Sequence, residues 1–191
     1  MDRRQRKTRE AILGAFSALL EKHPYERITV QEILDAADVG RSTFYAHFET
    51  KDFLIQGLCE ELFGHIVDTA MGLPQEYYRC TCGVAGDSVF LHLLRHLAEN
   101  DRHILALLSS PNNELFLRYF KSCLYRLVRT QLVGSGRVDA PGVPEELLVR
   151  HISASFVETV GWWLSEGRRH TPEELAGYFE AMLGKDFTGD R

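Results

Sequence analysis

Five side chains in the stretch GRSTFYAHF, those of Arg41, Ser42, Thr43, Tyr45 and His47, can each donate a hydrogen bond, and no acid stands among them. Donors gathered in this way suit a surface made of acceptors. The phosphates and base edges of double-stranded DNA are such a surface, and short hydroxyls at the leading end, Ser42 and Thr43, let a backbone come close to a base edge. Taken one at a time, these residues also fit the solvated face of a surface helix. It is their joint pattern, flanked by Lys51 and a basic N-terminal arm, that points to nucleic acid.

Two short elements must present these donors. TVQE, residues 29–32, has the form of a capping box, in which the Thr29 hydroxyl accepts from the Glu32 N–H and the Glu32 carboxylate reaches back. A helix over 30–37 follows, with Val30, Ile33, Leu34 and Ala37 on one face. Gly40 permits a sharp turn into a second helix over 41–47, where Phe44 and Phe48 are four apart and share the anchoring face. Two short helices joined this way are the geometry of a helix-turn-helix, which lays its second helix in the major groove. Ahead of them, a helix from about Arg3 to Lys22 is stopped by His23 and Pro24. Its opening, RRQRKTR before AILGAFSALL, imitates a secretion signal. The apolar run passes into EKHPYER without a small-residue cleavage site, however, and Ile12, Leu13, Phe16, Leu19 and Leu20 repeat with helical spacing, so an amphipathic helix is expected.

The net charge of −5 argues by itself against a polyanionic partner, but the charge is unevenly spread. Residues 1–51 hold nine Lys/Arg against eight Asp/Glu, and the remainder thirteen against nineteen; the first nine residues alone hold five against one. A cationic arm on an acidic body suggests that one end meets a polyanion and the other does not. A composition of 45% hydrophobic and 26% charged residues over 191 positions is that of a soluble globular chain, which sets aside disordered and fibrous classes. Four cysteines are too few and too unevenly spaced for a disulfide framework, and no run approaches the roughly 18 apolar residues of a membrane span. The expected location is the cytoplasm.

The rest of the chain reads as helix and loop without a strand pattern, giving an all-α fold. A long helix capped by Thr50 runs past Ile66 toward Met71, and residues 72–86 form a loop. Helices follow over 87–100, 101–109 and from Ser110, with Pro111 at its first position. After a loop at 134–144 come helices over 145–166 and 172–184, the last opened by TPEE as cap, proline and glutamate.

TVQEILDAADVGRSTFYAHFETKDFL resembles the DNA-binding segment of the TetR family of bacterial transcriptional regulators. Thr29, Val30, Ile33, Ala37, Val39, Thr43, Phe44, Tyr45, His47, Phe48, Thr50, Lys51 and Leu54 match the family pattern. Departures are Leu34 for the usual alanine, Asp38 for glycine, Gly40 for serine and Ser42 for glycine, so base preference is not transferable from relatives. The resemblance implies a three-helix DNA-binding domain over residues 1–54 and a helical effector-binding and dimerisation domain over 55–191. It implies that Tyr45, His47, Lys51 and Thr29 contact phosphates and that Arg41, Ser42 and Thr43 face base edges, with Arg3, Arg4, Arg6 and Lys7 reaching phosphates or a minor groove. It further implies a homodimer on a palindromic operator, acting as a repressor released by a small molecule. GWWLSEGRRHTPEELAGYF, residues 161–179, is similar to the C-terminal region of a subgroup that includes activators of dihydroxyacetone kinase genes.

In that frame Leu148, Ile152, Phe156 and Trp163, with Leu175, Tyr178, Phe179 and Met182, are the dimerisation residues, although such stripes also serve as plain core. Phe90, His92, His96, Phe116, Tyr119, Phe120 and Trp162 offer aromatic and polar lining for an effector pocket, or simply more core. A metal or redox alternative joins Cys80 and Cys82 to His92 and His96, which stand four apart on one helix face; against it, C-x-C is less specific than C-x-x-C. No cofactor is expected. An enzyme is disfavoured because no nucleophile elbow, HExxH or phosphate-cradling glycine loop occurs. A DNA-organising protein that senses nothing is the remaining rival.

Overall fold

The computed structural model describes residues 3–70, 88–99, 102–108, 113–136, 138 and 140–184, the side chains of 69, 70, 102 and 106 excepted. The expected loop at 72–86, with Cys80 and Cys82, and the expected helix start at Ser110 and Pro111 lie outside these residues. Among the described residues there are nine α-helices and no strand: α1 Arg3–Leu20, α2 Val30–Ala37, α3 Arg41–His47, α4 Asp52–Ala70, α5 Val89–Glu99, α6 Arg102–Leu108, α7 Glu114–Val128, α8 Glu145–Ser165 and α9 Pro172–Leu183. None of them is long and apolar enough to cross a membrane.

Local chemistry sets these boundaries. The last turn of α1 closes with the N–H groups of Lys22 and His23 on the Leu19 carbonyl, at 3.0 and 2.8 Å, and Pro24 then offers no N–H to continue. A single 3₁₀ turn at Tyr25–Arg27, which apolar periodicity does not reveal, carries the chain to α2. Helices α2 and α9 both open on full capping boxes, Thr29 with Glu32 and Thr171 with Glu174, and Pro172 takes the first position of α9. Helix α7 widens into a π turn over Arg129–Val133 and closes at Gly134, whose N–H reaches the Arg129 carbonyl at 2.7 Å. A Cβ at Gly134 would lie 2.9 Å from that same carbonyl oxygen, so only glycine fits the closure.

The chain divides into two compact units. One gathers α1, α2, α3, α4 through Glu60, α6, and α7 through Tyr119; the other gathers α4 from Glu61, α5, α7 from Phe120, α8 and α9. In the first, α1 packs on α2 and on α6, burying Ile12, Leu13, Phe16, Ile33 and Phe44. In the second, α9 packs on α5 and α8. Its centre is an aromatic trio: Phe90 and Phe156 stack at 5.0 Å, and Phe179 meets both edge-on at 4.6 and 5.4 Å.

Asp38 ends α2 in the left-handed region, φ 52° and ψ 48°, with its N–H on the Leu34 carbonyl. Glycine fills such a position without a Cβ penalty. Asp38→Gly is therefore expected to raise unfolding stability by about 1 kcal/mol, read from the urea midpoint at constant slope; a loss of stability would show that the carboxylate has a partner worth more than the strain.

Candidate nucleic-acid interface

The seat of α3 is built from below. Phe44 and Phe48 are buried, their rings 6.0 Å apart. The Arg9 guanidinium lies 4.8 Å from the centre of the Phe48 ring and reaches the Glu60 carboxylate at 3.5 Å, tying α1 to α4 over this anchor. Gly57 lets α4 come close, since a Cβ there would stand 3.1 Å from Leu13 and 3.3 Å from Phe48. With one face fixed, the other is turned out: Arg41, Ser42, Thr43 and Tyr45 are exposed, Tyr45 to 47%, and His47 is half-buried. Gly40 caps α3 without a side-chain acceptor, so the first-turn N–H groups and the leading side chains share one donor-rich end.

Several of these residues already have work inside the fold. The Arg41 guanidinium donates to Gln31 Oε1 at 3.3 Å, and Gln31 Nε2 donates to Asp35 Oδ1 at 2.8 Å, a relay that holds Arg41 against α2. Gln31 is an exposed neighbour of the reading face that residue-type reasoning overlooked; nothing in its spacing distinguishes it from a solvated polar residue. At Thr29, the backbone N–H and the hydroxyl both donate to Glu32 Oε2 at 2.7 Å, and the Glu32 N–H donates back to the hydroxyl at 3.2 Å. These bonds, backbone first and then hydroxyl, hold the Glu32 carboxyl below its usual range.

Lys51 is placed differently from a purely outward cation. Its Nζ donates to the carbonyls of Tyr25 and Ile28, both at 2.9 Å, and lies 4.0 Å from the centre of the Tyr25 ring. Burial pushes its pKa down, while the charges of Asp52, Glu26 and Glu32 pull it up. Two of the three ammonium donors thus brace the 3₁₀ turn and its cap at Ile28. The Tyr25 hydroxyl in turn donates to Asp52, and burial followed by that bond raises its pKa. On the arm, Arg3, Arg4 and Lys7 are exposed, whereas Arg6 faces Glu10 one turn on at 3.4 Å.

The remaining candidate residues fall in several places. Phe116 and Tyr119 belong to the first unit; Phe90, His92, His96, Phe120 and Trp162 belong to the second. Phe90 is part of the aromatic trio and Phe120 packs edge-on against Phe63 at 5.0 Å, so both serve as core. Trp162 is at the surface, stacked on His170 at 5.2 Å. Of the residues expected at a dimer interface, Leu148, Ile152, Phe156, Trp163, Leu175 and Phe179 are buried within their own unit, while Tyr178 and Met182 are exposed. His92 and His96 are buried and share their surroundings with a third imidazole, His65 of α4, which the sequence did not single out.

Residues 12–58, which span this interface, match the model described as bacterial regulatory proteins of the tetR family, and residues 87–185 match a transcriptional regulator C-terminal region. A solved TetR transcriptional regulator from Streptococcus agalactiae 2603V is 34% identical, with a TM-score of 0.68 over 95% of this chain and 96% of that one. The uncharacterized HTH-type regulator YxbF of Bacillus subtilis (strain 168) is 26% identical over 96% of this chain and 46% of its own length. The HTH-type dhaKLM operon transcriptional activator DhaS of Lactococcus lactis subsp. lactis (strain IL1403) is 29% identical over 49% of this chain and 44% of its own. The chain thus spans about half the length of the curated relatives it matches. On the strength of both matched regions and the Streptococcus agalactiae structure, this chain belongs to the TetR family of bacterial transcriptional regulators.

Proposed function

We propose that the protein reads a palindromic operator as a homodimer, in the cytoplasm, and represses transcription until a small molecule releases it. Residues 1–54 serve as the reading domain and 55–191 as the control and dimerisation domain. The observation that carries this is α3 itself: Phe44 and Phe48 are buried and Arg41, Ser42, Thr43 and Tyr45 are exposed, without an acid in the outward set. A two-fold dimer presents two such helices to half-sites about one DNA turn, roughly 34 Å, apart. The exposed apolar residues of α8 and α9, Leu147, Trp162, Tyr178 and Met182, supply the dimer surface that the buried stripe cannot. Activation is the second reading, favoured by the likeness to an activator over half of the chain.

Selecting bound duplexes from a random pool tests the proposal. One palindromic consensus is expected, and Arg41→Ala is expected to relax preference at one base pair per half-site, by about 5- to 150-fold against the wrong base. Uniform coating of all sequences would overturn the operator and leave a DNA-organising protein. A promoter fusion carrying the selected site then reads the sign of regulation.

A further inference from the structure

His65 on α4 and His92 and His96 on α5 are all buried, to 6, 4 and 1% exposure. Their ring centres lie 5.3, 4.7 and 5.8 Å apart pairwise, and one ligand atom from each falls within 4.8 Å of the other two. His92 and His96 are one helical turn apart, the spacing that puts two imidazoles on one side of an ion, and His65 closes the third corner from a second helix. The surrounding sequence is apolar: Leu62, Phe63 and Ile66 flank His65, and Leu93, Leu94 and Leu97 flank the pair, all buried.

We infer that His65, His92 and His96 form a binding site for a divalent first-row transition metal ion. Imidazole nitrogens are borderline donors that suit zinc, copper, iron and nickel rather than magnesium or calcium. Tetrahedral coordination at zinc–nitrogen distances near 2.0–2.1 Å needs nitrogens roughly 3.3 Å apart, so the rings close by about 1.5 Å from their present separation, within the reach of small χ rotations. Three protein donors leave a fourth position open to water or to an outside ligand, whereas purely structural sites are closed by four protein ligands. The site is distinct from one in which Cys80 and Cys82 join the two α5 histidines, because its third donor is His65.

The site is independent of the DNA reading, and its test does not use DNA. Full-length protein without a histidine tag is dialysed against zinc, then against metal-free buffer, and bound metal is measured by elemental analysis. One zinc per chain is expected in the wild type and in Cys80→Ser/Cys82→Ser, and loss of retained zinc in His65→Gln and in His92→Gln. Cobalt(II) loaded into the wild type is expected to give intense visible ligand-field bands of a low-coordinate nitrogen site, a readout that needs no variant to fold. Absence of stoichiometric metal in the wild type would overturn the proposal. A thiolate-to-cobalt charge-transfer band that disappears in the double cysteine variant would overturn it equally, by moving the site to the cysteines.

Discussion

Tyr45→Phe is expected to weaken binding of the proposed dimer to its selected operator by about 100-fold while leaving the melting temperature unchanged. The substitution deletes one hydroxyl and nothing else. Tyr45 is 47% exposed, and its edge contact with Phe44 at 5.3 Å belongs to the ring, which phenylalanine keeps. A hydrogen bond to a charged acceptor such as phosphate contributes about 1.5 kcal/mol or more, close to tenfold in affinity, and a symmetric dimer loses it twice. Because phosphates carry no sequence information, affinity for random DNA falls with that for the operator. The donor is uncharged, so the salt dependence stays the same. Lys51→Ala makes the contrast: it removes a cation, lowering the salt slope by about one per protomer, and it also strips two carbonyls of their donor, so the melting temperature falls. Fluorescence anisotropy over a salt series, paired with a thermal melt, separates the two. Unchanged affinity for Tyr45→Phe would mean that α3 docks in another orientation.

That contrast shows where the sequence was legible and where it was not. Phe44 and Phe48 declare their role by spacing, and TVQE and TPEE declare helix starts by chemistry that is local to four residues. The all-helical architecture followed from such signals. Lys51 declares nothing comparable, because its carbonyl partners at Tyr25 and Ile28 are 26 and 23 positions away and belong to a 3₁₀ turn and its cap, which have no apolar period. His65 was missed for the same reason. A lone histidine in an apolar helix reads as an ordinary core residue until α5 is brought beside it. Nor does any local pattern say that α6 and the start of α7 cluster with the N-terminal helices.

The stripes of α8 and α9 hide their partners in the same way. Periodicity reveals that a helix has an apolar face but not what covers it, so Phe156 and Met182 look alike in sequence although one is fully buried and the other 67% exposed. What remains outward is a ladder in which Trp162 of α8 stacks on His170 of the connecting turn and His170 meets Tyr178 of α9 edge-on at 5.4 Å, with Met182 exposed one turn further along α9. Exposed Gly161 and Gly177, with nothing within 4 Å of the position a Cβ would take, allow another backbone to approach. Tyr178→Glu combined with Met182→Glu is therefore expected to convert the proposed dimer to monomer in sedimentation, since a two-fold contact through this surface would set each new carboxylate near its own copy. Helical content and melting of the isolated chain should change little, because neither side chain contributes to the core. Operator affinity is expected to fall by about 10²–10⁴, the advantage that linking two half-site contacts confers, while affinity for a single half-site stays where it was. A dimer that persists in this variant would place the two-fold axis on another face, and a loss of half-site binding would show that the substitutions had damaged the fold rather than the assembly.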